Sequence, residues 1–336
     1  MALRLIEIYH KSGKAKEIDF LLKEAPVMDM WHDQLPEGDT ITKVLISSKN
    51  TESVLDILQQ FYSKNNDLRV VILPVEATIP RPEEPTREEK KEKTPDRISI
   101  EELYQKMTMV SGLSKSYVVM VVLSAFVAAI GLLKNDVAVI IGSMVISPLL
   151  GPNKALAFAT SLADFKLARK AFSTNLIGTF IVLFIGVIMG FTMGVDPSIP
   201  QIASRSDVSH YYIFLALATG VAGAYSITKG VVEALVGVMV AVALLPPLVV
   251  SGLLFGAQQW VSAAGALLLF LVNVVCINLS GVVTFVLQGI KPKNWWEAEK
   301  AKKAVRIALT AWIILLILLA VMIFIEQKIK LTYFSL

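Results

Sequence analysis

Gly142-Ser-Met-Val-Ile-Ser-Pro-Leu-Leu-Gly-Pro152 matches a second stretch of the same chain, Gly237-Val-Met-Val-Ala-Val-Ala-Leu-Leu-Pro-Pro247. The first glycine, a Met-Val pair, a Leu-Leu pair and the final proline coincide. The match continues upstream, where Ser124-Ala-Phe-Val-Ala-Ala129 aligns with Thr219-Gly-Val-Ala-Gly-Ala224. Two further pairs align, the second after a short gap: Lys134 with Lys229, and Asn175 with Asn273. The sequence therefore predicts two related structural units.

The repeat lies in a part of the chain that is too apolar for a soluble protein. Hydrophobic residues make up 54% of the 336, and the mean hydropathy is +0.61. Residues 1–116 have an ordinary soluble composition, whereas residues 117–326 form long apolar runs with few charges. Because about 20 apolar residues cross a membrane, the runs predict about seven transmembrane helices, at 117–133, 137–163, 173–194, 211–228, 231–256, 262–289 and 305–326. The second, fifth and sixth runs exceed one crossing, so we expect breaks or re-entrant turns.

Each repeat unit contains three predicted spans, and an odd number makes the second unit enter the membrane from the opposite side. A three-plus-three inverted repeat with broken helices is a recurring plan of secondary transporters. The breaks are predicted at Pro148-Leu-Leu-Gly-Pro152 and Leu244-Leu-Pro-Pro247, because proline lacks an amide donor and clashes with the preceding turn. Backbone groups freed there must be satisfied by packed protein or by a hydrated cavity. The alternative is a kink that only shapes packing.

The basic residues of the short connections predict the orientation. One side carries Lys166, Arg169, Lys170, Lys229 and the Lys291–Arg306 segment, and the other carries Lys134, Arg205, Lys328 and Lys330. The first side is predicted to be cytosolic, since cytosolic loops are enriched in Lys and Arg. The start of the chain lacks the pattern of a signal peptide. We therefore expect a multi-pass protein of the cell inner (plasma) membrane with a cytoplasmic N-terminus.

Residues 1–79 predict a small soluble α+β domain. Strand and helix periodicities alternate in the order βαββαβ, which is typical of a ferredoxin-like fold. That fold serves many functions and indicates none by itself. His10 and His32 stand on different predicted strands without a metal-binding spacing, so we expect surface histidines.

The rest of the chain divides by composition. Residues 80–98 form a charged, proline-rich linker, and residues 99–116 are predicted to form an amphipathic juxtamembrane helix. The inverted-repeat transmembrane domain covers 117–290, a basic cytosolic loop covers 291–304, and the final transmembrane helix and C-terminal tail cover 305–336.

Polar residues and helix breakers inside apolar spans are the candidate site, because polar groups there are costly and mark solute paths. The candidates are Ser143, Ser147, Pro148, Gly151, Pro152, Asn153, Lys154, Asn175, Glu233, Pro246, Pro247, Asn273 and Asn278. Serine beside glycine also fits a close helix contact, and an asparagine also fits a helix-to-helix hydrogen bond. Lys154 could meet an anion or reach the cytosolic interface, and Glu233 and Asp136 could take a proton or a cation. We expect a polar cavity near the midplane, bounded by Ser147–Asn153 and Ala243–Pro247.

The stretch from Gly131 to Pro152, with Asn273 and Asn278 in the sixth predicted span, resembles a known family. These are the bacterial membrane proteins grouped as domain of unknown function 389. The resemblance covers about residues 115–290, and the longer architecture with an N-terminal soluble domain is also similar. It implies the architecture, and it implies no chemistry.

The sequence contains no residue pattern that indicates catalysis. We find no paired carboxylates with a nucleophile, no Walker-type glycine loop, no metal cluster and no Ser/His/Asp set. The net charge of +4 is small, and we expect no nucleic-acid partner and no cofactor. The sequence instead predicts a secondary transporter or channel for a small ion or polar solute, regulated by the N-terminal domain. A homo-oligomer is compatible with this prediction. The alternative is a membrane-tethered sensor whose soluble domain binds a ligand.

Overall fold

The computed structural model describes residues 3–11, 13–23, 25–36, 38–62, 68–78, 98–229, 243–290 and 295–334. The chain forms two compact units. The first comprises residues 1–104 with 228–230, and the second comprises residues 105–227 with 231–336.

The first unit contains a small four-stranded antiparallel sheet and two helices on its connections. Its elements are β1 (Leu3–Lys11), α1 (Ala15–Leu22), β2 (Asp29–Gln34), β3 (Asp39–Ser47), α2 (Thr51–Tyr62) and β4 (Arg69–Val75). The strand order is β2-β3-β1-β4, and every neighbouring pair is antiparallel. Central strand β1 therefore pairs on both sides, with Leu3 opposite Ser47 of β3 and Val75 of β4.

The core of this unit forms on one face of the sheet. Successive side chains of a strand point to opposite faces, so alternate residues of β1 and β3 share the buried face. The residues that meet in this core are Ile6, Ile8, Val44 and Ile46 from the strands and Ile18, Leu22, Val54, Leu55 and Leu58 from α1 and α2. Both helices thus cover the same face.

His10 lies on this buried face, so the expectation of a surface histidine was wrong for it. It follows Ile8 at a spacing of two, which turns its ring toward the core. Its Nε2 lies 2.8 Å from the hydroxyl oxygen of Thr42, and Nδ1 of His32 lies 2.9 Å from the same oxygen. Nε2 of His32 in turn lies 3.0 Å from an oxygen of Asp19. The histidines therefore join β1, β3, β2 and α1 through polar contacts.

The chain from residue 98 onward is helical in its described part. Its helices are α3 (Ile100–Val110), α4 (Lys115–Leu133), α5 (Val137–Ile146), α6 (Leu150–Leu162), α7 (Phe165–Met193), α8 (Pro200–Ser206), α9 (Tyr211–Thr228), α10 (Leu245–Gly256), α11 (Trp260–Leu287) and α12 (Trp295–Phe334). Five of the described helices are long and apolar enough to span a membrane: α4, α7, α9, α11 and the Lys302–Ile325 part of α12.

The predicted second span is broken where the prolines stand. Helices α5 and α6 are bent by 50° at the break and together pass the same length and composition test as one span. Within the predicted fifth span, the described part is the shorter apolar helix α10, which covers its C-terminal end. Residues 230–242, which include Glu233 and Gly237, lie outside the described residues.

Helices α7 and α10 run in the same direction with their backbones in contact. A Cβ on Gly186 would lie 3.1 Å from the Val249 carbonyl oxygen and 2.9 Å from Gly252 Cα, and one on Gly190 would overlap the Leu253 carbonyl. Contacts that advance together along both helices indicate a parallel pair. Glycines four residues apart allow this close approach.

Helices α6 and α11 also run in the same direction. Asn153 contacts Asn278, a Cβ on Gly281 would lie 3.0 Å from Ala157 Cβ, and the rings of Phe158 and Phe285 meet edge to face with centroids 5.6 Å apart. A short turn reverses the chain between α6 and α7, which pack together, and another joins α10 to α11. Helix α6 therefore runs opposite to α10.

Candidate functional site

The prolines of the breaks deprive nearby carbonyls of their helical donors, and the protein itself replaces these donors. Pro148 cannot donate to the Met144 carbonyl, which accepts instead from the Ser147 amide at 3.3 Å. The Pro148 carbonyl likewise accepts from the Gly151 amide at 3.2 Å. The carbonyls freed at the first break are thus satisfied by local backbone.

The second break uses a side chain for the same purpose. Pro247 cannot donate to the carbonyl of Ala243, and Nδ2 of Asn273 on α11 donates to that carbonyl at 2.6 Å. Asn273 is 3% exposed. Its contact fits the helix-to-helix hydrogen bond that the sequence left open as an alternative.

Three asparagines from three helices form a connected row, which we call the asparagine row: Asn175 of α7, Asn153 of α6 and Asn278 of α11. Asn153 donates from Nδ2 to Oδ1 of Asn175 at 3.0 Å. Asn278 donates from Nδ2 to Oδ1 of Asn153, also at 3.0 Å. The row therefore links the third helix of the first repeat, the broken helix of that repeat and the third helix of the second.

Backbone carbonyls fix the orientation of these amides. Nδ2 of Asn153 also donates to the Leu149 carbonyl at 2.9 Å, and Nδ2 of Asn278 also donates to the Val274 carbonyl at 2.8 Å. Both amide nitrogens thus use their two hydrogens. The donor Nδ2 of Asn175 remains at one end of the row, and the acceptor Oδ1 of Asn278 remains at the other.

These two end atoms are buried and have no hydrogen-bond partner within the described part of the chain, and the same holds for the hydroxyl of Ser147 beside the first break. A buried polar atom without a partner costs about 1–3 kcal/mol. Such groups in native proteins bind water or a polar ligand. The row therefore offers one donor and one acceptor to a small polar species.

The asparagine row lies at a consistent depth along its three helices. Asn175 is ten residues from the start of α7, Asn153 is nine from the end of α6, and Asn278 is nine from the end of α11. The start of α7 and the C-terminal ends of α6 and α11 lie on the same side of the helical unit, because α6 leads into α7 and runs parallel to α11. At 1.5 Å per residue the row is about 14 to 15 Å from these helix ends, measured along the helix axes.

Lys154, the neighbour of Asn153, is buried and lines two spaces. The first is an open pocket of about 340 Å³ beside the break, lined also by Met107, Met109, Val110, Gly112, Ser114, Ser116, Tyr117, Met120, Pro148, Leu150 and Gly151. The second, between α6, α9 and α11, has about 10 Å³ of room for solvent, enough for about one water molecule. Residues of the first break thus line an open pocket. Lys154 borders both this pocket and the small space between α6, α9 and α11.

The second break has a different environment. Pro246 and Pro247 are buried with their apolar neighbours, and all residues from Leu245 to Leu254 are buried. Leucines of both breaks belong to a single apolar core: Leu149, Leu150, Leu244 and Leu245. Neither space that Lys154 lines is bordered by Ala243–Pro247. The expected cavity between the two breaks therefore remains a prediction, and the polar contacts between the repeats run through the asparagine row.

Two other candidates have local structural contacts. Ser143 is buried and donates its hydroxyl to the Ile140 carbonyl one turn back at 2.6 Å. Asp136 is the N-cap of α5, and its Oδ1 accepts from the amides of Ala138 and Val139 at 2.9 and 3.2 Å. These contacts explain both side chains as parts of helix structure. Glu233 lies outside the described residues.

Sequence reasoning missed the glycine contact between α7 and α10. The signal was present as two glycine pairs four residues apart in apolar runs, Gly186 with Gly190 and Gly252 with Gly256. This spacing is typical of close helix packing in membranes.

Comparison with known proteins places the chain in a family. The family model described as Domain of unknown function (DUF389) matches residues 144–279, which include both breaks and all three asparagines of the row. The uncharacterized protein MJ0678 of Methanocaldococcus jannaschii is 38% identical over 324 residues, covering 96% of this chain and 99% of that protein. No solved structure matches the chain. The resemblance in the sequence is thereby confirmed and extends to an archaeon, and the chain belongs to the DUF389 family.

Proposed function

We propose that this protein is a secondary transporter or channel for a small ion or polar solute. The observation that carries the proposal is the asparagine row, which presents a buried donor and a buried acceptor on apolar helices of membrane-spanning type. Polar groups are costly inside apolar spans, and those that occur there often hold water, ions or solutes. The proposal assigns the chain no catalytic activity and no cofactor.

We infer that seven spans are arranged as a three-plus-three inverted repeat followed by α12. Two observations support it. Helices α6 and α10, which correspond in the sequence repeat, run in opposite directions. The matched residues Asn175 and Asn273 each bind the broken helix of their own half, through Asn153 and the Ala243 carbonyl respectively. Transporters use such halves to expose a central site to each side in turn.

We infer further that the N-terminal unit is ferredoxin-like, lies in the cytosol and regulates the membrane unit, with the domain limits predicted from the sequence. The strand order β4-β1-β3-β2 with both helices on one face supports this fold. The cytosolic assignment rests on the concentration of Lys and Arg in the connections of one side. That side is the inner face of the cell's plasma membrane.

Flux into liposomes tests the proposal against the sensor alternative. Purified full-length protein is reconstituted at a fixed protein-to-lipid ratio, and osmotic swelling or tracer uptake is followed for a panel of small anions, cations and neutral polar solutes. We expect at least one solute to enter faster than into protein-free liposomes prepared in the same way. A sensor would pass none of them at either orientation of the gradient.

A further inference from the structure

Three cationic side chains on the first turns of α7 have no counter-charge. Lys166, Arg169 and Lys170 are exposed, and none forms an ion pair or side-chain hydrogen bond within the part of the chain that the structure describes. They line one open pocket of about 510 Å³ together with Phe165 and Ser173. Residues at spacings of three and four share a helix face, so the three charges point into the same space. A cluster of this kind attracts an anion.

The side of α7 that carries Arg169 continues as an apolar surface. Phe172, Leu176 and Phe180 follow at helical spacing and are 57%, 60% and 71% exposed. This helix is among the five that can span a bilayer, so its exposed apolar face meets lipid chains. The cationic pocket thus lies directly above a surface suited to hydrocarbon.

We propose that this pocket binds the headgroup of an anionic phospholipid, with its acyl chains along Phe172, Leu176 and Phe180. The Arg169 guanidinium can hold a phosphate through two parallel hydrogen bonds, and the two lysines add point charge. A soluble anion would use the charges alone, whereas a phospholipid also covers the adjoining apolar face. That continuity of charge and apolar surface favours the lipid.

The carboxylate next to the pocket is already engaged. Asp164, the N-cap of α7, accepts from the amides of Lys166 and Leu167 through Oδ1, at 3.0 Å in each case. It does not line the pocket. The three cations therefore remain available to a phosphate.

Native mass spectrometry of the full chain tests this site. The protein is titrated with phosphatidylglycerol or with phosphatidylcholine of identical acyl chains, and bound lipids are counted. The triple variant Lys166→Gln, Arg169→Gln, Lys170→Gln is compared with Lys302→Gln, Lys303→Gln, Arg306→Gln. The second variant removes the same number and types of charges from exposed positions of α12. Thermal unfolding confirms that both are folded.

We expect wild type to prefer phosphatidylglycerol and the α7 variant to bind it about a hundredfold more weakly, since each of the three basic groups contributes roughly fivefold. Arg169→Gln alone should lower the affinity for phosphatidylglycerol about fivefold. This single variant replaces the triple variant in the test if the triple variant does not fold. The α12 variant should bind as wild type does. The proposal would be overturned if both triple variants lost affinity equally or if wild type showed no lipid preference. It would also be overturned if millimolar inorganic phosphate displaced the lipid.

Discussion

At the scale of single residues, the buried asparagines divide by what their amides reach. Nδ2 of Asn273 donates to the Ala243 carbonyl, which has no helical donor because residue 247 is proline. The asparagine row instead keeps a donor and an acceptor at its ends. In the matched pair, Asn273 therefore holds a break, whereas Asn175 has a buried donor without a hydrogen-bond partner in the described part of the chain.

Asn273→Leu should lower stability by about 1–3 kcal/mol, because the buried Ala243 carbonyl loses its donor. Ser143→Ala is the control, since it removes only a hydrogen bond within one helix turn. Thermal unfolding in detergent measures both. An unfolding midpoint for Asn273→Leu equal to that of wild type would contradict the assignment.

The asparagines were identifiable from the sequence, but their partners were not. Asparagine in an apolar run predicts a polar contact, and proline predicts a carbonyl without its donor. Which donor replaces the missing amide depends on the rotation and height of a helix that is distant in sequence, as with Asn273 and Ala243. The burial of His10 was predictable from the period-two alternation of β1, which places it on the face of Ile6 and Ile8, and only its contact with Thr42 depends on a neighbouring strand.

At the scale of elements, the contact of α7 with α10 joins helices from the two predicted repeat units. Gly190→Ala should destabilise the protein by about 1–3 kcal/mol, because the added methyl overlaps the Leu253 carbonyl. Gly142→Ala is the matched control, since its Cβ would meet nothing within 4 Å and alanine favours the helix. Urea unfolding in mild detergent should show a loss for Gly190→Ala alone. Equal stability of the two variants would show that the contact is looser than described.

Helices, strands and breaks were predicted correctly from the sequence where a single physical rule determines them. Period-two alternation predicted β1, the turn formers at residues 36–39 predicted the pair β2 and β3, and Pro148 predicted the break between α5 and α6. The start of α10 at Leu245 coincides with the break predicted at Leu244-Leu-Pro-Pro247. The complete burial of Leu245–Leu254 did not follow from the sequence, because it depends on tertiary packing. Hydropathy does not distinguish a helix buried on all sides from one that faces lipid.

At the scale of the whole molecule, the two units have separate apolar cores, one from residues 6–72 and the others from residues 117–323. Deletion of residues 1–97 should therefore leave a membrane unit that inserts and folds, with a changed rate or control of flux. Membrane fractionation and size-exclusion chromatography test the folding, and liposome flux tests the control. A truncated protein that aggregates would make the N-terminal unit structural.

The inverted repeat predicts opposite locations for two matched lysines. In a Cys276→Ala background, Lys134→Cys should react with an impermeant maleimide added outside the cell, and Lys229→Cys should react only after the membrane is opened. Cys276 is the single cysteine and is buried, so its removal lowers the background. Labelling of both positions from the same side would exclude the inversion.

The central claim is that a solute crosses through the asparagine row, and flux through the matched variants Asn175→Leu and Asn273→Leu tests it most directly. Rates are measured in liposomes and divided by the amount of folded protein. We predict that Asn175→Leu lowers the rate at least about tenfold, equivalent to about 1.4 kcal/mol and to one lost hydrogen bond, while Asn273→Leu keeps the wild-type rate per folded molecule. Wild-type flux through Asn175→Leu, or equal losses in the two variants, would contradict the account.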